Sequence, residues 1–164
     1  LDALKRKKYP LMAKVKLKTG DRIPSFRLRN QQGRFVSSDE LLGRPLVIYF
    51  YPKDDSPGCT AEACSFRDTY EDFTDLGAEV IGISADDPES HRLFAERHHL
   101  PFLLLSDEDN TVRKAFGVPG SLFGLLPGRV TFVVDAEGTL RYQFNSQINV
   151  YGHVKKAKAF LRKL

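Results

Sequence analysis

Cysteine is scarce in this chain: two in 164 residues. So small a supply fits a reducing compartment, a bacterial cytoplasm or a plastid interior, rather than secretion. With four scattered histidines, His91, His98, His99 and His153, it provides no paired ligand spacing for a zinc site. His91 and His98 fall seven residues apart on one face of an expected helix, where solvent exposure accounts for them. Long apolar runs are missing too. None approaches the roughly 18 residues that span a bilayer, and the N-terminus lacks the charged, apolar and small-residue order of a secretory signal. A chain that stays in water is expected. There is no internal repeat and no low-complexity linker, and the length suits one domain. Residues 1–14 read as an N-terminal tail and 15–164 as the folded unit. Leu1 to Leu11 precede Met12 and are taken as an appended stretch or the remainder of a targeting peptide.

Excess charge of one sign is confined to the ends. The net charge is +4, with Lys5, Arg6, Lys7, Lys8, Lys14, Lys16 and Lys18 near the start and Lys155, Lys156, Lys158, Arg162 and Lys163 near the finish. Tyr9 and Phe160 are the sole aromatic residues among them, too few for a nucleic-acid stacking platform, so solvated ends are expected and nucleic acid is not an expected partner.

What is present is the mixture of a globular domain, 41% hydrophobic and 28% charged. Leu46-Val-Ile-Tyr-Phe-Tyr51 is a continuous apolar, β-branched and aromatic run, the mark of a strand buried on both faces. Ala78 to Ser84 and Phe102 to Leu105 resemble it, and helical patterns over Cys59 to Leu76, Pro88 to His98 and Glu108 to Phe116 intervene. That alternation predicts βαβ units with parallel strands. Asp87 is the expected cap and Pro88 the first position of the middle helix. Further on, Arg129 to Val134 and Thr139 to Phe144 flank Asp135-Ala-Glu-Gly138 as an antiparallel hairpin, and a helix from about Val150 to Leu164 buries Val154, Ala157 and Leu161. Near the start, Phe26 to Arg29 and Phe35-Val36 flank Asn30-Gln-Gln-Gly33 as a second hairpin. The sum is a thioredoxin-like α/β fold, a central mixed sheet flanked by helices with an added N-terminal β-hairpin.

Both cysteines lie in Ser56-Pro-Gly-Cys59-Thr-Ala-Glu-Ala-Cys64. Cys59 follows a buried strand and a Pro/Gly loop and enters the first turn of a helix, where free amides and the macrodipole favour an anion. Helix N-termini are among the settings that turn a cysteine into a reactive thiolate. Pro52 fixes the chain leaving the strand and brings no amide hydrogen, and the Ser56 hydroxyl is three residues from Cys59. At about 100° per residue, Ala63, Phe66, Tyr70 and Phe73 form an apolar stripe with Cys59 at its centre, while Cys64 falls about 140° away among Arg67, Asp68 and Glu71. Cys59 is expected to face inward and Cys64 outward. In an intact helix their Cα atoms are roughly 8 to 9 Å apart, and a disulfide needs less than about 7 Å. If they pair, the first turns must unwind. From the residues alone, two buried structural thiols remain an alternative.

The segment Phe50-Tyr-Pro-Lys-Asp-Asp-Ser-Pro-Gly-Cys59-Thr-Ala-Glu-Ala-Cys64 resembles the active-site segment of the peroxiredoxins, and the five-residue step to the second cysteine is similar to their peroxiredoxin Q, or bacterioferritin comigratory protein, subfamily. Gly77 to Ser84, Leu104 to Asp107, Val112 to Lys114, Phe116 to Pro119 and Leu126 to Arg129 agree as well. The resemblance implies a thiol peroxidase of the atypical two-cysteine type. Cys59 would attack the peroxide and become a sulfenic acid, and Cys64 would resolve it as an intrachain disulfide. Ser56 and Pro52 would shape the peroxide pocket, and Arg129, otherwise an ordinary strand-edge residue, would hold the thiolate and the leaving oxygen. Ser56 stands where the family more often has Thr. No cofactor is implied; reduction would come from thioredoxin or a similar dithiol, and a monomer suffices for an intrachain disulfide. Pocket width around Phe50, Leu122 and Phe123 would choose between hydrogen peroxide and organic hydroperoxides. Two rivals stand beside this reading. A thioredoxin-like oxidoreductase would have two residues between its cysteines, not four, and a basic binding protein would use the charged ends.

Overall fold

The computed structural model describes residues 16–120 and 127–164. The expected tail over 1–14 lies outside the described residues, as do Leu122 and Phe123. The strands are β1 (Arg27–Asn30), β2 (Phe35–Ser37), β3 (Leu46–Phe50), β4 (Glu79–Ser84), β5 (Leu103–Ser106), β6 (Val130–Val134) and β7 (Leu140–Asn145). The helices are α1 (Ser38–Leu41), α2 (Pro57–Asp68), α3 (Tyr70–Asp75), α4 (Pro88–His98), α5 (Thr111–Ala115) and α6 (Val150–Leu161). One mixed sheet runs in the order β2-β1-β5-β4-β3-β6-β7. β3 is parallel to β4, and β4 to β5; β6 joins β3 antiparallel and β7 follows as its hairpin partner. The thioredoxin-like arrangement and the added hairpin are therefore as the sequence predicts.

Every residue of β3 is buried, which is why its sequence is apolar without alternation. Its side chains still alternate between two cores. Val47, Tyr49 and Tyr51 face Cys59, Ala63 and Phe66 of α2, Phe94 of α4 and Val154, Ala157 and Leu161 of α6. Leu46, Ile48 and Phe50 face Val112, Phe116 and Phe132 on the other side. Helices α2 and α4 share a face because successive right-handed crossovers along β3, β4 and β5 return on the same side. The placement of Phe50 corrects the expectation that it borders the reactive pocket: its ring packs 5.2 Å from that of Phe116, across the sheet from Cys59.

The helix expected from Cys59 to Leu76 is two helices. The Thr69 hydroxyl donates to the Ser65 carbonyl at 2.6 Å, and Thr69 leaves helical geometry with φ −107° and ψ 3°. A threonine that bonds back four residues bends a helix, and here the chain restarts as α3. Helix α4 keeps its expected bounds: the Asp87 carboxylate accepts from the Ser90 N–H at 2.8 Å, and His99 closes it in the left-handed region. Helix α6 is capped by Asn149, which accepts from the Gly152 N–H at 3.0 Å.

Candidate active site

Ser56 precedes α2 and Pro57 takes its first position, where a missing N–H costs nothing. The first helical bond runs from the Thr60 N–H to the Ser56 carbonyl at 2.9 Å, so helix geometry gives the Gly58 and Cys59 amides no acceptor within α2. Cys59 is 1% exposed and Cys64 half-buried, and both are free thiols on an unbroken helix. The inward and outward placement predicted for the two sulfurs holds.

Arg129 arrives from just before β6 and is only 4% exposed. Its Nη2 donates to Cys59 Sγ at 3.3 Å, its Nη1 to Glu62 Oε1 at 3.0 Å and its Nε to the Gln147 carbonyl at 3.3 Å. Burial alone would lower the Arg129 pKa, but Glu62 and Cys59 outweigh it and hold the guanidinium above its ordinary value. A Cβ on Gly58 would lie 3.1 Å from Arg129 Nη2, so glycine leaves the guanidinium room to reach the sulfur. The strand-edge residue of the sequence is thus a buried charge aimed at Cys59.

Glu62 was not singled out from the sequence. It is fully buried beneath Arg129, and burial pushes its carboxyl up to about 8 against the downward pull of that guanidinium. Its Oε2 has no hydrogen-bond partner among the described residues and lies 3.7 Å from His153 Nδ1. That histidine does not neutralise it. His153 Nε2 faces the Ser146 carbonyl at 2.7 Å, so it carries the proton, and Nδ1 accepts from the Thr131 hydroxyl at 2.7 Å. Burial pushes His153 down to about 4. The sequence signal for Glu62 was its position: three residues after Cys59, an acid falls on the inward face of the helix.

Ser56 is half-buried, and its hydroxyl donates to the Lys53 carbonyl at 2.9 Å rather than to Cys59. Pro52 is half-buried and follows Tyr51, whose carbonyl accepts from Arg113 Nη2 at 2.8 Å. Arg113 Nη1 also donates to the Gly128 carbonyl at 2.9 Å. It therefore ties the residue before Pro52 to the residue before Arg129, a link that the sequence analysis did not assign.

His91 corrects the expectation of a surface residue, because it is fully buried. Its Nδ1 lies 2.7 Å from Asp54 Oδ2, and its Nε2 lies 3.1 Å from the Leu105 carbonyl, which can only accept. Asp54, Asp86 and His91 gather their polar atoms within 4.8 Å. The contacting atoms are engaged with Tyr51, Ser84, Ser90 and the Asp54 N–H, a knot that fastens the loop before Cys59.

A buried thiol at a helix start, with a guanidinium on its sulfur and a second thiol on the same helix, suits nucleophilic and redox chemistry. A sequence model of the AhpC/TSA family matches residues 19–143. The chain is 52% identical over 149 residues to chloroplastic peroxiredoxin Q of Oryza sativa subsp. japonica, covering 91% of this chain and 69% of that one. It is 50% identical over 148 residues to chloroplastic peroxiredoxin Q of Arabidopsis thaliana, covering 90% and 68%. Peroxidoxin BcpB of Mycobacterium tuberculosis superposes with a TM-score of 0.83 at 38% identity, over 90% of this chain and 98% of the other. Bacterioferritin comigratory protein of Xanthomonas campestris does so with 0.77 at 31% identity, over 84% and 90%. Family pattern, relatives and fold agree with the geometry around Cys59, and the chain belongs to the AhpC/TSA family, on its peroxiredoxin Q branch.

Proposed function

We propose that the chain is a thiol peroxidase that reduces hydrogen peroxide and organic hydroperoxides with Cys59 and closes an intrachain disulfide to Cys64. The observation that carries this reading is the 3.3 Å contact from Arg129 Nη2 to Cys59 Sγ, a charge-assisted donor on a sulfur at a helix start. The Cys59 thiolate attacks one peroxide oxygen; the S–O bond forms, the O–O bond breaks, and the departing hydroxide or alkoxide takes a proton to leave as water or alcohol. Arg129 stabilises the negative charge as it passes from sulfur to the departing oxygen. Ser56 turns its hydroxyl from the Lys53 carbonyl toward the peroxide, and Pro52 keeps that wall of the pocket free of an amide donor. Neither step needs a cofactor.

The Cys64 thiolate then attacks the sulfenic sulfur, the S–S bond forms and hydroxide leaves. Thioredoxin or a similar dithiol returns both thiols by exchange. The named activity of the Xanthomonas campestris relative, alkyl peroxide reduction, supports an organic substrate range. The chloroplastic names of the plant relatives support a plastid interior, and an intrachain disulfide would need no second subunit, so the chain is read as a monomer.

The test is intact mass and free-thiol count seconds after reduced protein meets one equivalent of hydrogen peroxide. Loss of both thiols with a mass lower by roughly two units per chain is the expected result. A doubled mass would move resolution between chains, and two unchanged thiols would end the peroxidase reading.

A further inference from the structure

Disulfide formation requires α2 to unwind between its cysteines, and the ends of the stretch that must move are held. On the N-terminal side the buried Asp54 carboxylate accepts from the Tyr51 hydroxyl at 2.6 Å and the Ser90 hydroxyl at 2.9 Å, and lies 2.7 Å from His91 Nδ1. Its neighbour Asp55, in the left-handed region at φ 63°, pairs with Arg97. On the C-terminal side Arg67, three residues beyond Cys64, donates from Nη1 to the His98 carbonyl at 2.7 Å and from Nε to Asp68 at 2.9 Å. Ser90, His91, Arg97 and His98 all belong to α4. One helix therefore braces both ends of residues 56–66, and Arg67 meets it at its C-terminal carbonyls, where the macrodipole favours a cation.

We propose that Arg67 is a positioning residue for the resolving step, pinning the Cys64 end of α2 to α4 while the turns around Cys59 unwind. The proposal rests on the reading of Cys64 as the resolving thiol. Its physical basis is chain length. Pro57 to Cys64 spans about 10 Å as helix and up to about 23 Å when extended. With Asp54 and Arg67 both fixed, the released chain has more length than the gap it bridges and bows outward. The bow lifts Cys59 from burial and brings it to Cys64, which stays in place. It also delivers the disulfide to the surface, where a dithiol reductant reaches it. If the Arg67 end were free, unwinding would run on toward Thr69, where α2 already ends, and Cys64 would wander from its partner.

The step at stake is attack of the Cys64 thiolate on the Cys59 sulfenic sulfur, with loss of hydroxide that a proton converts to water. Rapid-quench mass spectrometry with one equivalent of hydrogen peroxide follows sulfenic acid, trapped by dimedone, and disulfide separately. Arg67→Gln is expected to form the sulfenic acid at the wild-type rate and the disulfide about tenfold more slowly. Arg67→Lys keeps a charged donor for the His98 carbonyl and recovers most of the loss. The peroxide level that drives half the chains to sulfinic acid falls in Arg67→Gln by a similar factor, because the sulfenic acid waits longer. A wild-type rate of disulfide formation in Arg67→Gln overturns the proposal, as does equal slowing of both steps. Cys64→Ser separates the two readings: repeated turnover with thioredoxin alone removes Cys64 as resolving thiol and the proposal with it. Arrest after one turnover, beside an unaffected Arg67→Gln, removes only the proposal.

Discussion

One guanidinium serves two acids in this site. Arg129 donates to Cys59 Sγ and to Glu62 Oε1, and with Glu62 pushed up to about 8 the carboxyl is largely protonated at neutral pH, which leaves the positive charge to the sulfur. Arg129→Gln is expected to slow peroxide oxidation of Cys59 by about a hundredfold, the scale of losing one preorganised charge-stabilising donor. Competition with a second thiol peroxidase for limiting peroxide measures that rate, and a loss under threefold would remove Arg129 from the first step. At this scale the sequence was legible where a residue's meaning is local. Cys59 and Cys64 announce themselves by spacing and by the Pro/Gly loop before them. His91 was misjudged because its partner Asp54 lies 37 residues away, and a pairing made by the fold leaves no local pattern. Arg129 needed the family resemblance for the same reason, since Cys59 is 70 residues from it.

Helix α2 has to be stable enough to hold Cys59 beside Arg129 and weak enough to open. In the disulfide form, residues 59–66 are expected to lose amide-exchange protection that they have when reduced, since an intact helix holds the two Cα atoms beyond disulfide reach. Equal protection in both redox states would exclude the unwinding. Gly58→Ala probes the same balance from the other direction. Alanine restricts the backbone more than glycine does and so stiffens the first turn of α2, yet its Cβ meets Arg129 Nη2 at 3.1 Å. The variant is expected to slow both sulfenic acid and disulfide formation severalfold, the first through the displaced guanidinium and the second through the stiffer helix. Wild-type rates of both would show that the glycine is not required. Most elements were legible because apolar runs and caps are local signals: Asp87-Pro88 starts α4 as read, and Asp135 to Gly138 turns β6 into β7. The break at Thr69 was not, because a hydroxyl bonding back to Ser65 looks in sequence like any helical threonine.

Two buried titratable groups on the α2 and α6 side of the sheet, Glu62 and His153, set opposing pH slopes for the whole molecule. For Glu62 the folded pKa, about 8, lies above its ordinary 4.5, so its stabilising contribution is complete below about 4.5 and is lost as pH rises to about 8. For His153 the folded pKa, about 4, lies below its ordinary 6.5, so its contribution is complete above about 6.5 and is lost as pH falls to about 4. Between about 4.5 and 6.5 the two slopes cancel. Above about 6.5 only Glu62 of this pair still titrates, and one proton over about 1.5 pH units amounts to roughly 2 kcal/mol. Reduced wild-type protein is therefore expected to lose roughly that much unfolding free energy between pH 6.5 and 8 relative to Glu62→Gln, whose amide does not titrate. Urea unfolding of both proteins at the two pH values measures the difference, and Glu62→Gln in turn uncovers the His153 slope, with stability rising from pH 4.5 to 6.5. If the two proteins share one pH dependence, Glu62 is already ionised in the folded protein across that range, and Cys59 must then compete with a carboxylate for Arg129 from pH 6.5 to 8.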